Sequence, residues 1–315
     1  MISSDLILLV AGQVLTLFLL MAVGFILTKR GKLSSVTCSQ LSHLLMYMVM
    51  PCTTISALQQ NPYSPELARV VFMTFLASAV AYAAYILFSA PLFRRRTPDE
   101  RDVLRFSCVY GNTGFMGLPL VMGVFGSESV IYCAIYGTMF SITSWTHGVA
   151  LMGGRENISL KKAFLNPGTI GCVIGFALFF GNVQLPSPVG AAVIHLGNMN
   201  TPLAMIIIGS QMASADLLAT FRTRSLYLSS ALKLFAAPLL TAALLIPFRL
   251  SEIAYSTLVL LAATPAAGLT SIFAQNFRRG TSYPAQCVTL STLLSILTLP
   301  VMAAVTSLIW QFVGG

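Results

Sequence analysis

A cluster of polar and helix-breaking residues interrupts one hydrophobic segment of this sequence. Residues 109–120 read VYGNTGFMGLPL, which places three glycines, a proline and an asparagine close together. Glycine weakens a helix, and proline removes one N–H group and clashes with the preceding turn. In lipid, a broken helix is tolerated only where it lines a cavity or is buried in protein. The stretch therefore predicts half of a binding site near the middle of a membrane, with Asn112 beside the break.

A second interrupted segment, residues 264–271 with the sequence TPAAGLTS, is the counterpart of the first. Paired Gly/Pro-interrupted segments at corresponding positions of two chain halves indicate a transporter binding site. A half-helix that starts after a break presents unpaired N–H groups and roughly half a unit of positive charge. We therefore predict that a small organic anion, a carboxylate, binds between the two breaks. The predicted binding residues are Asn112, Thr113, Gly114, Gly117 and Pro119 in the first break, and Pro265, Gly268, Leu269 and Thr270 in the second.

Several of these residues also have a purely structural interpretation. Proline and glycine are common in membrane helices, so Pro119 and Pro265 also fit ordinary kinks. Gln211, next to Gly209 and Ser210, is predicted either to line the pathway or to lie where small residues let two helices approach closely. Lys233 lies inside a hydrophobic segment, where a charge costs about 2.5–3.5 kcal/mol. It is predicted either to extend to the membrane surface or to have a structural or substrate-attracting role.

Composition assigns the chain to the membrane proteins. Of its 315 residues, 56% are hydrophobic and 9% are charged, and the mean hydropathy is +0.83. In a typical soluble domain, about a quarter of all residues are charged. The net charge of +9 does not predict nucleic-acid binding, because the basic residues cluster in short loops. The six cysteines lack CxxC spacing and are interpreted as packing residues, and neither a metal site nor a cofactor is predicted. The first residues lack the basic region of a cleavable signal peptide.

Ten hydrophobic segments follow one another along the chain. Of the 18 Lys and Arg residues, all but Arg69, Lys233 and Arg249 fall on one side if both termini lie outside the cell membrane, as the positive-inside rule predicts. Five segments in each half require any repeat to be inverted across the membrane. Segments 1 to 3 cover about residues 6–28, 35–58 and 67–92, and segment 4 holds residues 109–120 and ends near residue 125. Segments 5 to 10 cover about residues 129–152, 168–183, 189–213, 226–248, 253–277 and 286–312.

The chain resembles the auxin efflux carrier family over essentially its whole length. The resemblance rests on residues 112–119 (NTGFMGLP), Pro51, residues 202–209 and 233–238, and Pro265. It implies an all-α membrane protein of NhaA-like architecture: ten helices in two inverted five-helix repeats, in which the broken helices 4 and 9 cross. The repeats would be residues 1–152 and 168–315, joined by a cytoplasmic linker at 153–167. Segments 1, 2, 6 and 7 would form a scaffold, and segments 3–5 and 8–10 a transport domain. The short linker resembles the compact bacterial, malonate-transporter-like members.

The predicted function is secondary transport of a small organic anion by an elevator mechanism. The breaks contain no Asp or Glu, which disfavours cation exchange, and the chain has no GxxxxGK[ST] motif for ATP. No nucleophile–base pair or metal-ligand cluster indicates an enzyme. The alternatives are a sodium-coupled symporter of the bile-acid type and a ligand sensor that does not transport. The sequence leaves open the substrate, the direction, the coupling ion and the oligomeric state, a homodimer included; membrane lipids are the other expected partners.

Overall fold

The computed structural model describes residues 4–60, 65–159, 161, 164–165, 167–280 and 282–313, and in these ranges the regular structure is helical, without a β-strand. Segment 1 is the helix Ser4–Lys29, segment 2 consists of Ser35–Leu44, Leu45–Val49 and Met50–Gln60, and segment 3 is Pro65–Ser89. Segment 4 consists of Pro98–Val109, Thr113–Gly117 and Leu118–Phe125. Segment 5 consists of Glu128–Thr143, Ser144–Gly148 and Val149–Gly153, and the turn Arg155–Asn157 follows it. Segment 6 is the helix Pro167–Phe180, segment 7 consists of Ser187–Asn198 and Asn200–Ala213, and the short helix Leu217–Arg222 follows segment 7. Segment 8 consists of Arg224–Ala231, Leu232–Ala236, Ala237–Leu245 and Ile246–Phe248. Segment 9 consists of Glu252–Ala262 and Leu269–Asn276, and segment 10 is Ser282–Val313.

Among the described residues, six helices are long and apolar enough to cross a membrane: Leu8–Lys29, Ser35–Gln60, Arg69–Ser89, Ser187–Ala213, Arg224–Phe248 and Ser282–Val313. Segments 4 and 9 contribute only shorter apolar helices, Thr113–Phe125 and Glu252–Ala262, because a break divides each of them. The prediction of an all-helical, multi-pass membrane protein is confirmed.

Three prolines follow a π-helical turn and do not break the helix in which they lie. Pro51, Pro119 and Pro238 are each the second residue after a π-helical turn of five residues. The wider turn fits a proline, which cannot donate an N–H group and which crowds the carbonyl one turn earlier. The chain of segment 4 therefore opens at residues 110–112, before the π-helical turn, and Pro119 is inside the second half-helix rather than at the break.

Segments 1 and 7 pack at very short range because each presents a glycine to the other. A Cβ atom on Gly24 would collide with the backbone oxygen of Ile206, and one on Gly209 with the backbone oxygen of Met21. The hydroxyl of Thr28 also donates to that of Ser210 across the same contact, at 2.8 Å. Close approach through small residues is a usual way for membrane helices to pack. Segment 2 in turn packs against segments 6 and 7, so segments 1, 2, 6 and 7 are neighbours.

Polar contacts connect five of the other six segments. Tyr85 of segment 3 lies 3.2 Å from the hydroxyl of Tyr136 in segment 5 and also bonds Thr241 in segment 8. At the end of the bundle, Arg279 pairs with Asp99 and with Asp102 and donates to the backbone oxygen of Met152. These contacts tie segments 3, 4, 5, 8 and 9 together around the two breaks.

Candidate functional site

The two broken segments meet through their backbones. The amide of Asn112 donates to the carbonyl of Pro265 at 2.7 Å, and the amide of Ala267 donates to the carbonyl of Tyr110 at 2.9 Å. Gly111 and Ala266 thus form an isolated antiparallel bridge in a protein that is otherwise helical where it is described. Each break releases backbone groups from its helix, and these groups must find partners away from water. The two breaks supply partners to each other, which fixes them side by side.

The second half-helices both start at this bridge. They begin at Thr113 and Leu269. The amides of Gly114 and Phe115 in one, and of Gly268 and Leu269 in the other, have no hydrogen-bond acceptor among the described residues. All four residues are half-buried. Two helix amino ends with unpaired N–H groups concentrate positive potential here.

Polar side chains add further unused hydrogen-bonding groups. Asn112 is 8% exposed and lies at the amino cap of its half-helix, yet its side chain makes no capping hydrogen bond. The hydroxyl of Thr270, one residue into the other half-helix, is buried and has no partner. Buried polar groups are nearly always paired, so unpaired ones at one place suggest a partner that the chain itself does not supply.

The side chain of Lys233 lies at the opposite, carboxyl ends of the first half-helices. Its ammonium donates to the carbonyl of Ala262 at 3.0 Å, and the residue is only 1% exposed. The extended conformation that would bring the ammonium to the membrane surface is therefore not the one observed. The sequence left open whether Lys233 extends to the membrane surface or has a role inside the protein. In the structure it lies in the interior, at the breaks.

The other predicted residues are divided between the site and the packing around it. Gln211 is near the second break, since a Cβ atom on Gly268 would lie 3.6 Å from its Oε1 atom. Gly114 contacts segment 2, because a Cβ atom there would lie 2.7 Å from Cε of Met50. Gly117 packs against Leu261. Pro119 is buried inside its helix, away from the unpaired amides. Gln211 and Met50 thus bring segments 7 and 2 up to the two breaks.

Two residues outside the predicted set also shape the breaks. Gly111 is the centre of the bridge, and a Cβ atom on it would lie 2.7 Å from Nζ of Lys233 and 2.6 Å from Oγ1 of Thr264. Gly111 belongs to the interrupted stretch of the sequence, but nothing in the sequence showed which of its glycines forms the bridge to the second break. Ser291 in segment 10 accepts the amide of Ala266 at 3.1 Å, and no local pattern marks this serine.

The arrangement is suited to binding an anion. Unpaired amides, the amide group of Asn112 and a hydroxyl at Thr270 can donate hydrogen bonds to carboxylate oxygens. The described part of the chain holds no group of His, Cys, Asp and Glu side chains able to bind a metal ion. A carboxylate bound at the two amino ends would satisfy the amides that the breaks leave unpaired.

Comparison with known proteins identifies the family of the chain. The family model described as "Membrane transport protein" matches residues 9–158 and 155–303. An "Uncharacterized transporter" of Methanothermobacter thermautotrophicus is 24% identical over 300 residues, which cover 93% of this chain and 97% of that protein. A "Putative malonate transporter" of Rhizobium meliloti is 22% identical over 300 residues, 92% of this chain and 93% of that protein. Another uncharacterized transporter, from Methanocaldococcus jannaschii, is 26% identical over 213 residues, 64% and 68% of the two chains. The chain belongs to the membrane transport protein family, which is the auxin efflux carrier family that its interrupted segments resemble.

Proposed function

We propose that this chain is a secondary transporter that moves a small carboxylate across the cell membrane. One observation carries the proposal: two broken segments, hydrogen-bonded to each other, present unpaired amides of Gly114, Phe115, Gly268 and Leu269 beside the free side-chain amide of Asn112. Helix amino ends at membrane depth bind anionic substrate groups in discontinuous-helix transporters. The transporter names of the relatives support the same function.

The architecture in this proposal has ten membrane-crossing segments in two inverted repeats, residues 1–152 and 168–315. Segments 1, 2, 6 and 7 form the scaffold, and the close contact of segments 1 and 7 through Gly24 and Gly209 supports their acting as one rigid unit. Segments 3–5 and 8–10 form the transport domain, which slides as an elevator. Both termini lie outside, in agreement with the distribution of Lys and Arg.

A dicarboxylate is the substrate class we propose first. The site has two helix amino ends, one in each break, so that each can bind one carboxylate group of a short diacid. The relative from Rhizobium meliloti carries malonate in its name, and malonate has two carboxylates on a single carbon. Malonate is therefore the probe for the first experiment.

The experiment is uptake of radiolabelled malonate by proteoliposomes that contain the purified protein. We expect saturable uptake that excess unlabelled malonate inhibits and that protein-free liposomes lack. Replacing sodium by choline at equal ionic strength separates the sodium-coupled symporter from the uncoupled or proton-coupled carrier. Binding of malonate in a thermal-shift assay without any uptake would support a ligand sensor and contradict transport. If neither binding nor uptake occurs with malonate, succinate and acetate, the carboxylate proposal fails.

A further inference from the structure

Lys233 is a buried cation whose contacts do not include a carboxylate. It is 1% exposed, and all ion pairs among the described residues belong to arginines. Its ammonium instead donates to the carbonyl of Ala262 and lies 5.8 Å from the centre of the Tyr85 ring, within the range of a cation–π interaction. A charge inside the membrane is costly, so these contacts need a physical reason.

The reason lies in how the helix Glu252–Ala262 ends. Its last carbonyls point into the protein interior, and the carboxyl end of a helix carries roughly half a unit of negative charge. Thr264 satisfies the carbonyl of Leu261 with its hydroxyl at 2.6 Å, and Lys233 satisfies the next carbonyl, that of Ala262. A positive charge at a helix carboxyl end is stabilising, and it gains strength where water is excluded.

Three segments enclose the ammonium. Segment 9 supplies the carbonyl of Ala262, segment 3 the ring of Tyr85, and segment 4 the bare backbone of Gly111, where a Cβ atom would come within 2.7 Å of Nζ. All these segments belong to the group proposed as the transport domain, so the ammonium would move with the binding site.

We propose that the Lys233 ammonium is the resident cation of the broken helices: it occupies the position that a bound monovalent cation would take at the carboxyl end of Glu252–Ala262. Helix carboxyl ends and unwound carbonyls bind Na⁺ in other discontinuous-helix transporters. Here the chain supplies the positive charge itself, and this charge also offsets that of a carboxylate at the two amino ends. That Lys233 offsets the charge of a bound carboxylate rests on the proposed function. That Lys233 takes the place of a bound cation does not.

Thermal unfolding without any substrate tests the resident cation. The variants are Lys233→Ala, which removes the charge and opens space, and Lys233→Met, which removes the charge and keeps most of the volume. We expect the wild-type Tm to be the same in sodium, methylammonium and choline chloride at equal ionic strength. In choline, the Tm of Lys233→Ala should be lower than that of the wild type. In methylammonium, a cation that fits the vacated space, the variant should recover at least half of this loss. Lys233→Met, the matched control, should lose stability without recovering it.

Two results would overturn the proposal: a wild-type Tm that sodium raises, or a Lys233→Ala Tm that neither sodium nor methylammonium raises above its value in choline. If Lys233→Ala cannot be purified, the readout is the folded peak in size-exclusion chromatography of membranes solubilised in each salt. Recovery of that peak only in methylammonium or sodium supports the resident cation, and no recovery in any salt contradicts it.

Malonate uptake then tests the link to transport. Lys233→Ala should lose at least tenfold in uptake rate, and methylammonium should restore part of it. An absence of uptake by the wild type would contradict the proposed function and leave the thermal result standing. If the wild type takes up malonate and Lys233→Ala does so at the same rate, the charge has no role in transport. The resident cation, which the thermal result tests, would be unaffected.

Discussion

At the scale of single residues, the site depends on groups that the chain leaves without partners. The side chain of Asn112 is nearly buried and makes no cap bond, and the hydroxyl of Thr270 is buried and unpaired. Leaving a buried polar group unpaired costs about 1–3 kcal/mol. A carboxylate would recover this cost, whereas a neutral apolar ligand would not. These unpaired groups support the proposal of a carboxylate substrate.

Asn112→Ala should weaken binding of the carboxylate. The variant loses one hydrogen bond to a charged group, worth about 1.5–3 kcal/mol, which corresponds to about a tenfold or larger increase in Kd. The backbone bond from residue 112 to Pro265 is kept, so the fold should persist. Thermal shift with malonate measures the affinity. The control is Asn276→Ala, at an exposed asparagine at the end of segment 9. Equal affinity in wild type and Asn112→Ala would remove Asn112 from the site.

At the scale of helices, glycine and proline have different tasks in this protein. Pro51, Pro119 and Pro238 follow π-helical turns and leave the helix around each of them unbroken, whereas the chain leaves the helical conformation at residues 110–112 and 263–268. Gly24 and Gly209 allow two helices to touch through their backbones. The proposed scaffold therefore depends on the absence of side chains at one helix crossing.

Gly209→Ala should destabilise the protein, because its Cβ atom would collide with the backbone of Met21. Backbone cannot give way as a flexible side chain does, so we expect a loss of about 1–3 kcal/mol, as for overpacked cores, and a lower Tm. Gly12→Ala is the matched control: it lies in the segment that Gly209 contacts, and a Cβ atom on it would have nothing within 4 Å. That variant should be neutral or slightly stabilising, since alanine favours a helix more than glycine does. A Tm for Gly209→Ala equal to that of Gly12→Ala would show that segments 1 and 7 can separate without cost.

At the scale of the whole molecule, the proposed elevator requires two rigid groups that slide past each other. Segments 1, 2, 6 and 7 pack together, and contacts such as those of Arg279 with Asp99, Asp102 and Met152 hold the other group together. Between the groups, Gln13 of segment 1 lies against Gly123 of segment 4. This contact is outside the predicted site, so it reports on motion rather than on binding.

A cross-link between the groups should arrest transport. In the double variant Gln13→Cys/Gly123→Cys, we expect mercuric ion to stop malonate uptake and an excess of a small dithiol, which takes up the mercury, to restore it. The control pair Gly153→Cys/Phe277→Cys joins residues that touch within one group, so uptake should continue after cross-linking. Wild type carries six cysteines, and its response to mercury sets the background. Full uptake by the cross-linked Gln13–Gly123 protein would rule out sliding between these groups.

The sequence by itself determined the class of the protein and the places where helices fail. Apolar composition requires membrane segments, and glycine, proline and asparagine disfavour a helix by local effects that need no partner; the lack of acids in the two breaks predicted an anion. Only the tertiary structure decided that the breaks bond to each other, that segment 4 opens before Pro119, and that Lys233 points to the carbonyl of Ala262. These outcomes depend on residues far apart in the chain, such as Gly111 and Ala266, whose contact no local propensity encodes. Lys233 shows the difference best: its cost in the membrane follows from its type, and its place follows from which helix ends there.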